Sequence, residues 1–591
     1  MSNSSGPLPA PIFIDFEGID GSGKTTLSNR LADYLKECGV HVHHARDRGV
    51  FRSEISKAIR ALTRDPRFLR MSDVTEFLLY TARDTQMIDE FIRPNLEPGN
   101  VVFSDRYLYS AVTHSHHGRG LPSEEVDAVL RIAARGIWPD LVVYCDVDPL
   151  TSRLRKKVQK IKDRRLGDFG RKGLMGIGFR ERMRTGFLEL AGKDEQNWLV
   201  IDNANSTIEE SLQRIFERVK EIFRQKGYGE LPDPQWADLQ QQSDGRVPVE
   251  VNEVVDRVAR ISDGEQRRQE LGRAFFGELD RLAATQPAFA ALYVGGLDSP
   301  EATALRETLY ETETALIAYG LQGVRSPESM DLREKLFEQE PLYVARSLSG
   351  SLLDPRASAL RWKLADIIPA QIAQAVRDSN LDHAWELRDH IGKAAAKEVL
   401  MSLRGLDSDR AWKLREKRSK PKYYPALLES LGGIDTESAW EWRDRLSQEY
   451  LPWVLISLRG LTSDRAWFLR ESHVRRAPKI IIKSIGCSED PRAWTLREEA
   501  KFNAKEVLDS LSGLDSSQSW QLRRDLQDKW PNTCVSSLGA GAQSERAWNF
   551  RWEMMARHPG NLLLMKHLFK AALRAVADGA DFEDENEDDL T

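Results

Sequence analysis

Phe16-Glu17-Gly18-Ile19-Asp20-Gly21-Ser22-Gly23-Lys24-Thr25-Thr26, or FEGIDGSGKTT, decides how this chain is read. It follows the apolar run Ile12-Phe13-Ile14 and precedes a helical pattern, the context that a GxxxxGK[ST] loop requires. Small residues at Gly18, Gly21, Ser22 and Gly23 let backbone N–H groups converge on phosphate oxygens. The helix that follows turns its positive end to the same point. Lys24 then reaches the β- and γ-phosphates, Thr25 offers its hydroxyl to Mg2+, and Thr26 adds to the nucleotide-binding loop. Binding of ATP or GTP follows.

Working outward, 591 residues exceed what one core supports, so two or more domains are expected. Residues 12–228 alternate apolar runs with amphipathic stretches. IFIDFEG, GNVVFSD, PDLVVYCDVD and NWLVID read as buried parallel strands, so an α/β domain with helices on both sheet faces is expected. Residues 1–11 read as a disordered leader, 229–250 as a linker rich in Pro, Gln, Asp and Gly, and 578–591 as an acidic disordered tail.

Between 251 and 577 the phrases HAWELR, RAWKLR, SAWEWR, RAWFLR, RAWTLR, QSWQLR and RAWNFR recur with a period of 26 to 28 residues. Stepping back by the same period reaches Ser358, Met330 and Thr303, where the frame continues without tryptophan. A second apolar helical pattern lies between phrases, ending in Gly and followed by Ser or Asp. These residues suit a helix end and the next N-cap. Each unit therefore reads as a helical hairpin, and the hairpins stack into an α-solenoid. HEAT-like arrays resemble it in architecture only. The Trp and Arg at i and i+3 share a helix face and are read as structural, with Arg meeting an acidic N-cap or a carbonyl of a neighbour.

Net charge is −6 and gives no basic field, so a nucleic-acid partner is not expected. Four isolated cysteines without a CxxC pair point to a reducing, cytoplasmic setting. No stretch has the length and apolarity of a membrane span. His41, His43, His44, His114, His116 and His117 show no fixed ligand spacing and are read as surface or loop histidines.

FEGIDGSGKTT together with VVFSDRY, GRGL, PDLVVYCDV and a late basic segment resembles the thymidylate kinase family of nucleoside monophosphate kinases, over residues 12–228. The resemblance implies transfer of the ATP γ-phosphoryl group to dTMP with Mg2+. Asp20 then lies near the acceptor sugar and the metal. Asp105 serves the metal and the acceptor, Arg106 clamps the acceptor phosphate and Tyr107 packs on the sugar. Ser110 lies near the base, Tyr80 stacks on thymine, and Arg46 keeps the arginine of a loop after the second strand. The basic segment around KKVQKIKDRRLGDFGRKG resembles the family's lid. Because position 21 is Gly rather than Arg, the resemblance assigns the catalytic arginine to the lid, at Arg164 or next at Arg153. A homodimer is implied too.

The sequence also departs from the family pattern. Arg83-Asp84 inverts the family's Asp-Arg order, so Arg83 reaches the pocket from a shifted position. Arg46-Asp47-Arg48-Gly49 lacks a Pro and a second Gly, and the lid carries the extra LGDFGRKGLMGIG. Two alternatives stay open: a kinase for a different nucleotide, and a nucleotide-dependent switch whose repeats bind a protein partner.

Overall fold

Residues 8–46, 53–164, 175–204, 206–234, 236, 264–350, 353–558 and 561–577 are described by the computed structural model. They fall into two compact units, residues 1–157 with 168–244, and residues 158–167 with 245–591.

In the first unit, β1 (Ile12–Glu17), β2 (His41–His44), β3 (Asn100–Asp105), β4 (Leu141–Asp146) and β5 (Trp198–Asp202) form a five-stranded parallel sheet ordered β2-β3-β1-β4-β5. Every residue of β1 is buried, as a central strand covered on both faces demands. The longer helices are α1 (Lys24–Glu37), α2 (Glu54–Arg64), α3 (Asp73–Met87), α4 (Leu108–Val112), α5 (Ser123–Ala134), α6 (Pro149–Lys162), whose residues from 158 on group with the second unit, α7 (Gly176–Lys193) and α8 (Ile208–Lys226). Ile12, Ile14 and Phe16 pack with Leu27 and Leu31 of α1 and Ile215 of α8, whereas Phe13 meets Phe77 and Leu130 in a separate core. Helix α8 starts at a capping box formed by Thr207 and Glu210 and stops at Gly227 in the left-handed region.

The edges of this unit lie outside the expected boundaries. Residues assigned to the leader are tied down: Ala10 N–H donates to the Lys226 carbonyl at 2.9 Å, and Gly99 N–H donates to Pro9 at 2.7 Å. The first part of the expected linker is also docked, with Trp236 against Tyr34 and Phe216 and its indole N–H on Gln213. An apolar ring in a polar stretch found a core to cover. The 578–591 tail and most of the 229–250 linker lie outside the described residues.

The second unit opens with helices Gly264–Thr285 and Pro287–Val294 and continues as ten helical hairpins, from Pro300–Leu309 with Thr314–Gly320 to Glu545–Arg557 with Leu562–Ala577. Helices Pro300–Leu309, Pro327–Leu336 and Pro355–Ala365 fill the frames that lack tryptophan. The repeated arginines, Arg306 through Arg551, are at most 2% exposed. Arg415 shows their work. Its guanidinium donates to the Leu403 and Leu406 carbonyls at 2.8 and 2.9 Å, where the preceding hairpin's second helix ends, and to Ser430 Oγ and O at 3.0 and 2.9 Å in its own hairpin. Arg333, Arg388, Arg470 and Arg523 repeat the pattern. The acceptors are carbonyls carrying the negative end of a helix dipole, so each cation satisfies helix-end groups that would otherwise be orphaned. Burial pulls the Arg415 pKa down to about 10, which still leaves it charged at neutral pH. Tryptophans pack between successive cations, as Trp440 does between Arg443 at 4.8 Å and Arg465 at 4.6 Å. The Trp-Arg phrase is thus structural.

The two ends of the array pack on one another. Phe569 stacks on Phe275 and meets Phe276 edge-on at 5.3 Å, and Lys566 donates to the Gly295 carbonyl at 2.7 Å. An open solenoid needs polar end caps; here the last hairpin is covered by the helix that precedes the first.

Arg415→Ala is expected to destabilise the repeat unit by about 3 kcal/mol or more, because several buried acceptors lose their donor at about 1–3 kcal/mol each. Arg410→Ala, whose side chain is 51% exposed and pairs with Asp389, is expected to cost under about 1 kcal/mol. Urea unfolding followed by tryptophan fluorescence measures both, and equal costs contradict the reading.

Candidate active site

At the carboxyl ends of the parallel strands the chain leaves β1 through the phosphate loop, β3 through Asp105-Arg106 and β4 through Asp146, the edge where ligands gather in open α/β sheets. Gly23 caps α1 at φ 90° and supplies no side-chain cap, so the first amides of the helix remain for an anion. Gly21, at φ 88°, lies so close to α6 that a Cβ there would stand 2.8 Å from the Ser152 carbonyl. An arginine at position 21 would strain the backbone there and its Cβ would meet α6.

Lys24 is 6% exposed and bonds the Ile19 carbonyl at 3.2 Å. Burial, reinforced by the Arg106 charge, pulls its ammonium down to about 8. Thr25 Oγ1 donates to Asp105 Oδ2 at 2.5 Å. Burial works to raise the Asp105 carboxyl, but the charges of Lys24, Arg46 and Arg106 outweigh it and hold it below its usual range.

Arg106 anchors the other half of the site. It sits at φ 83°, unusual for a residue with a Cβ, and donates through one terminal nitrogen to Asp20 at 2.5 Å and through the other to Ser110 Oγ at 2.9 Å. Burial opposes its charge, and Asp20, Glu17 and Asp105 more than restore it. Glu17, the last residue of β1, is wholly buried and accepts from the Tyr107 and Ser110 amides and the Ser110 hydroxyl. Burial raises its carboxyl above the usual range. Ser110, expected near the base, is thus the link between Glu17 and Arg106. Arg46 donates to the Asp105 carbonyl at 2.8 Å.

Asp105 Oδ1 is buried without a hydrogen-bond partner, beside the Thr25 hydroxyl. A hard cation with oxygen ligands fits that pair. No cluster of three or more His, Cys, Asp or Glu suited to a metal occurs among the described residues.

On α3, Tyr80 is half-buried between the Arg83 guanidinium at 4.9 Å and the His114 ring at 4.7 Å. Arg83 forms a bidentate pair with Asp84 at 2.7 and 2.8 Å, so the inverted order neutralises itself within one turn of α3. Tyr107 departs from expectation. Its ring is wholly buried beside Phe13 and Trp138, and its hydroxyl donates to Ile137, so the side chain is core and only its amide serves the site. Nor are His44 and His114 surface histidines; both are buried, His44 on Ser28 and His114 against Tyr80 and Phe179.

Several contributors escaped the sequence reading. Asn203 donates to the Ser22 carbonyl at 2.5 Å and accepts from Ser211, bracing the phosphate loop from beyond β5. Ser152 and Lys156 of α6 meet Asp20, the lysine at 3.6 Å. Glu17 was visible as a carboxylate ending an apolar strand, which demands a partner; Asn203 has no local signature. Arg153 is half-buried on α6. Arg164 belongs to the second unit and pairs with Glu340. Residues 47–52 and 165–174, which carry the altered loop and the extra glycine-rich stretch, lie outside the described residues.

A family model for thymidylate kinase matches residues 16–215. The thymidylate kinase of Finegoldia magna is 36% identical over 209 residues, covering 35% of this chain and 98% of that protein. That of Oleidesulfovibrio alaskensis is 32% identical over 212 residues, covering 36% and 99%. A solved thymidylate kinase from Ehrlichia chaffeensis covers 36% of this chain and 99% of its own at 23% identity, with a TM-score of 0.27.

Because a phosphate chain is held by the charged form of Lys24, triphosphate affinity is expected to be flat below pH 8 and to fall by up to about tenfold per pH unit above it. Titration calorimetry from pH 7 to 9.5 reads this; constant affinity across the range contradicts a buried lysine with a lowered pKa.

Proposed function

We propose, from the premise that this chain belongs to the thymidylate kinase family, that it transfers the γ-phosphoryl group of ATP to the 5′-phosphate of dTMP, giving ADP and dTDP. The observation that carries this reading is the pairing of a nucleotide loop with Arg106, a guanidinium whose side chain is 12% exposed and which is held by Asp20, Glu17 and Ser110 beside Lys24 and Asp105.

The acceptor is already an anion, so no general base is needed, and the work is positioning and charge neutralisation. Loop amides and Lys24 take the donor phosphates. Arg106, fixed in one orientation, grips the acceptor phosphate and offsets repulsion as the two chains approach in line. Thr25 and Asp105 are the residues that would hold Mg2+, which neutralises charge on the β- and γ-phosphate oxygens when bound. Tyr80 offers a ring face to the base, with Arg83 and Arg46 on the acceptor side. Arg164, or Arg153, steadies charge on the transferring group. The four cysteines are all unpaired, which supports a reducing compartment, the cytoplasm.

Steady-state turnover with Mg-ATP and dTMP, dUMP, UMP, CMP, GMP and AMP offered singly tests the assignment. Preference for dTMP is expected, and Arg106→Ala is expected to lower kcat/KM at least about a thousandfold, some 4 kcal/mol of transition-state binding. Turnover indifferent to the acceptor, or an Arg106→Ala protein as active as the parent, overturns it.

A further inference from the structure

Most tryptophans of the recurring phrase are gripped by two arginines. One comes three residues later in the same hairpin; the other comes from the next hairpin, two residues before that hairpin's own phrase position. Trp385 meets Arg388 and Arg410, Trp467 meets Arg470 and Arg492, and Trp520 meets Arg523 and Arg546, all at 4.2 to 5.3 Å. The second arginine is held in turn by a carboxylate four residues after the phrase position. Glu334 holds Arg356 at 2.9 Å, Asp389 holds Arg410 at 2.7 Å and Asp444 holds Arg465 at 2.6 Å.

At Trp494 the ring and the carboxylate are kept and the second cation is replaced. Arg497 lies 4.4 Å from the ring and Glu498 stands four residues on, but the next hairpin places Gln518 where the second arginine belongs. Trp412 also lacks a second arginine, with Ser438 in that place, and it packs on the core around Leu427 and Leu431. Trp494 instead borders an open cleft of about 560 Å³ whose walls include Glu489, Thr495, Glu498, Glu499 and Gln518. Glu489 stands five residues before its tryptophan, where Asp407, Asp435 and Asp515 accept the indole N–H of theirs. No bond joins Glu489 to Trp494 among the described residues, so its carboxylate is not taken up by the indole. Glu498 lies 3.5 Å from Lys501, which also meets Asp525 at 3.1 Å. Phe468, at the frame position of Thr495 one hairpin earlier, is 68% exposed.

We propose that the cleft beside Trp494 docks a partner protein by receiving one of its arginine side chains, in the place that Arg410, Arg465 and Arg492 fill from within elsewhere in the array. The indole face takes the guanidinium plane, and Glu498 with Glu489 takes its N–H groups, the chemistry that the filled positions display. Phe468 gives the partner's neighbouring residues an apolar contact, which a free small cation would not use. Charge complementarity comes from Glu489, Glu498 and Glu499. The site lies wholly within the repeat unit and is independent of the kinase reading.

Fluorescence anisotropy of a labelled Arg-Gly-Arg-Gly-Arg peptide titrated with the full-length protein, against the same peptide carrying citrulline for arginine, tests the dock. The arginine peptide is expected to bind at least about tenfold more tightly. Gln518→Arg, which supplies the cation from within, is expected to weaken that binding by about tenfold and to raise the urea midpoint of the protein. Glu489→Gln/Glu498→Gln is expected to weaken binding comparably and decides the matter should Gln518→Arg fold poorly. Glu441→Gln, an exposed acid two hairpins earlier, is expected to leave binding unchanged. Equal affinity for the two peptides, or full affinity in a folded Gln518→Arg protein, overturns the proposal. Equal weakening by Glu441→Gln does the same, because attraction to negative charge at large then suffices. A parent protein that self-associates in sedimentation velocity while Gln518→Arg stays monomeric overturns the separate partner and assigns the arginine to a second copy.

Discussion

The Arg106 guanidinium keeps its charge out of solvent because Asp20 and Glu17 stand against it, and the geometry of the site follows from that constraint. Glu17 has to be buried at the end of β1 to meet it, and pays the desolvation through amides at the start of α4 and the Ser110 hydroxyl. Asp20 has to sit within the phosphate loop, so the loop and the turn after β3 are joined by one ion pair. Thr25 bonding to Asp105 closes the same circuit from α1. Arg106 and the phosphate loop are one network of charges, so their separation is set before any ligand arrives.

The repeats solve a related problem with a different counter-charge. Each buried arginine faces carbonyls at helix ends instead of carboxylates, and these acceptors satisfy its donors without adding a second ion to desolvate. One guanidinium bonds two successive hairpins, so the stacking register is fixed by geometry as well as by apolar contact. Glu313 and Glu340 depart from this arrangement, and both face cations of the chain's own basic segment.

Where the chemistry is local, the sequence is informative. The loop from Gly18 to Thr25, the Asp105-Arg106 pair and the Trp-Arg period are contiguous patterns with one geometric solution each, and the strands around them read as apolar runs because both sheet faces are covered. What was hidden depends on partners distant in the chain. The resemblance implied that Tyr107 packs on the sugar, yet Phe13 and Trp138 claim its ring. Asn203 acts across nearly the whole domain on Ser22, and Trp236 belongs to α1 and α8 although its own stretch reads as linker.

A bisubstrate ligand in which adenosine and thymidine are joined through a chain of phosphates, bound to the full-length protein and solved by crystallography, tests the central claim most directly. The account places the donor phosphates on the loop amides and Lys24, the phosphate nearest thymidine on Arg106, and the thymine ring against Tyr80. A phosphate chain that runs past Lys24 without meeting Arg106, or a thymidine bound away from Tyr80, contradicts it.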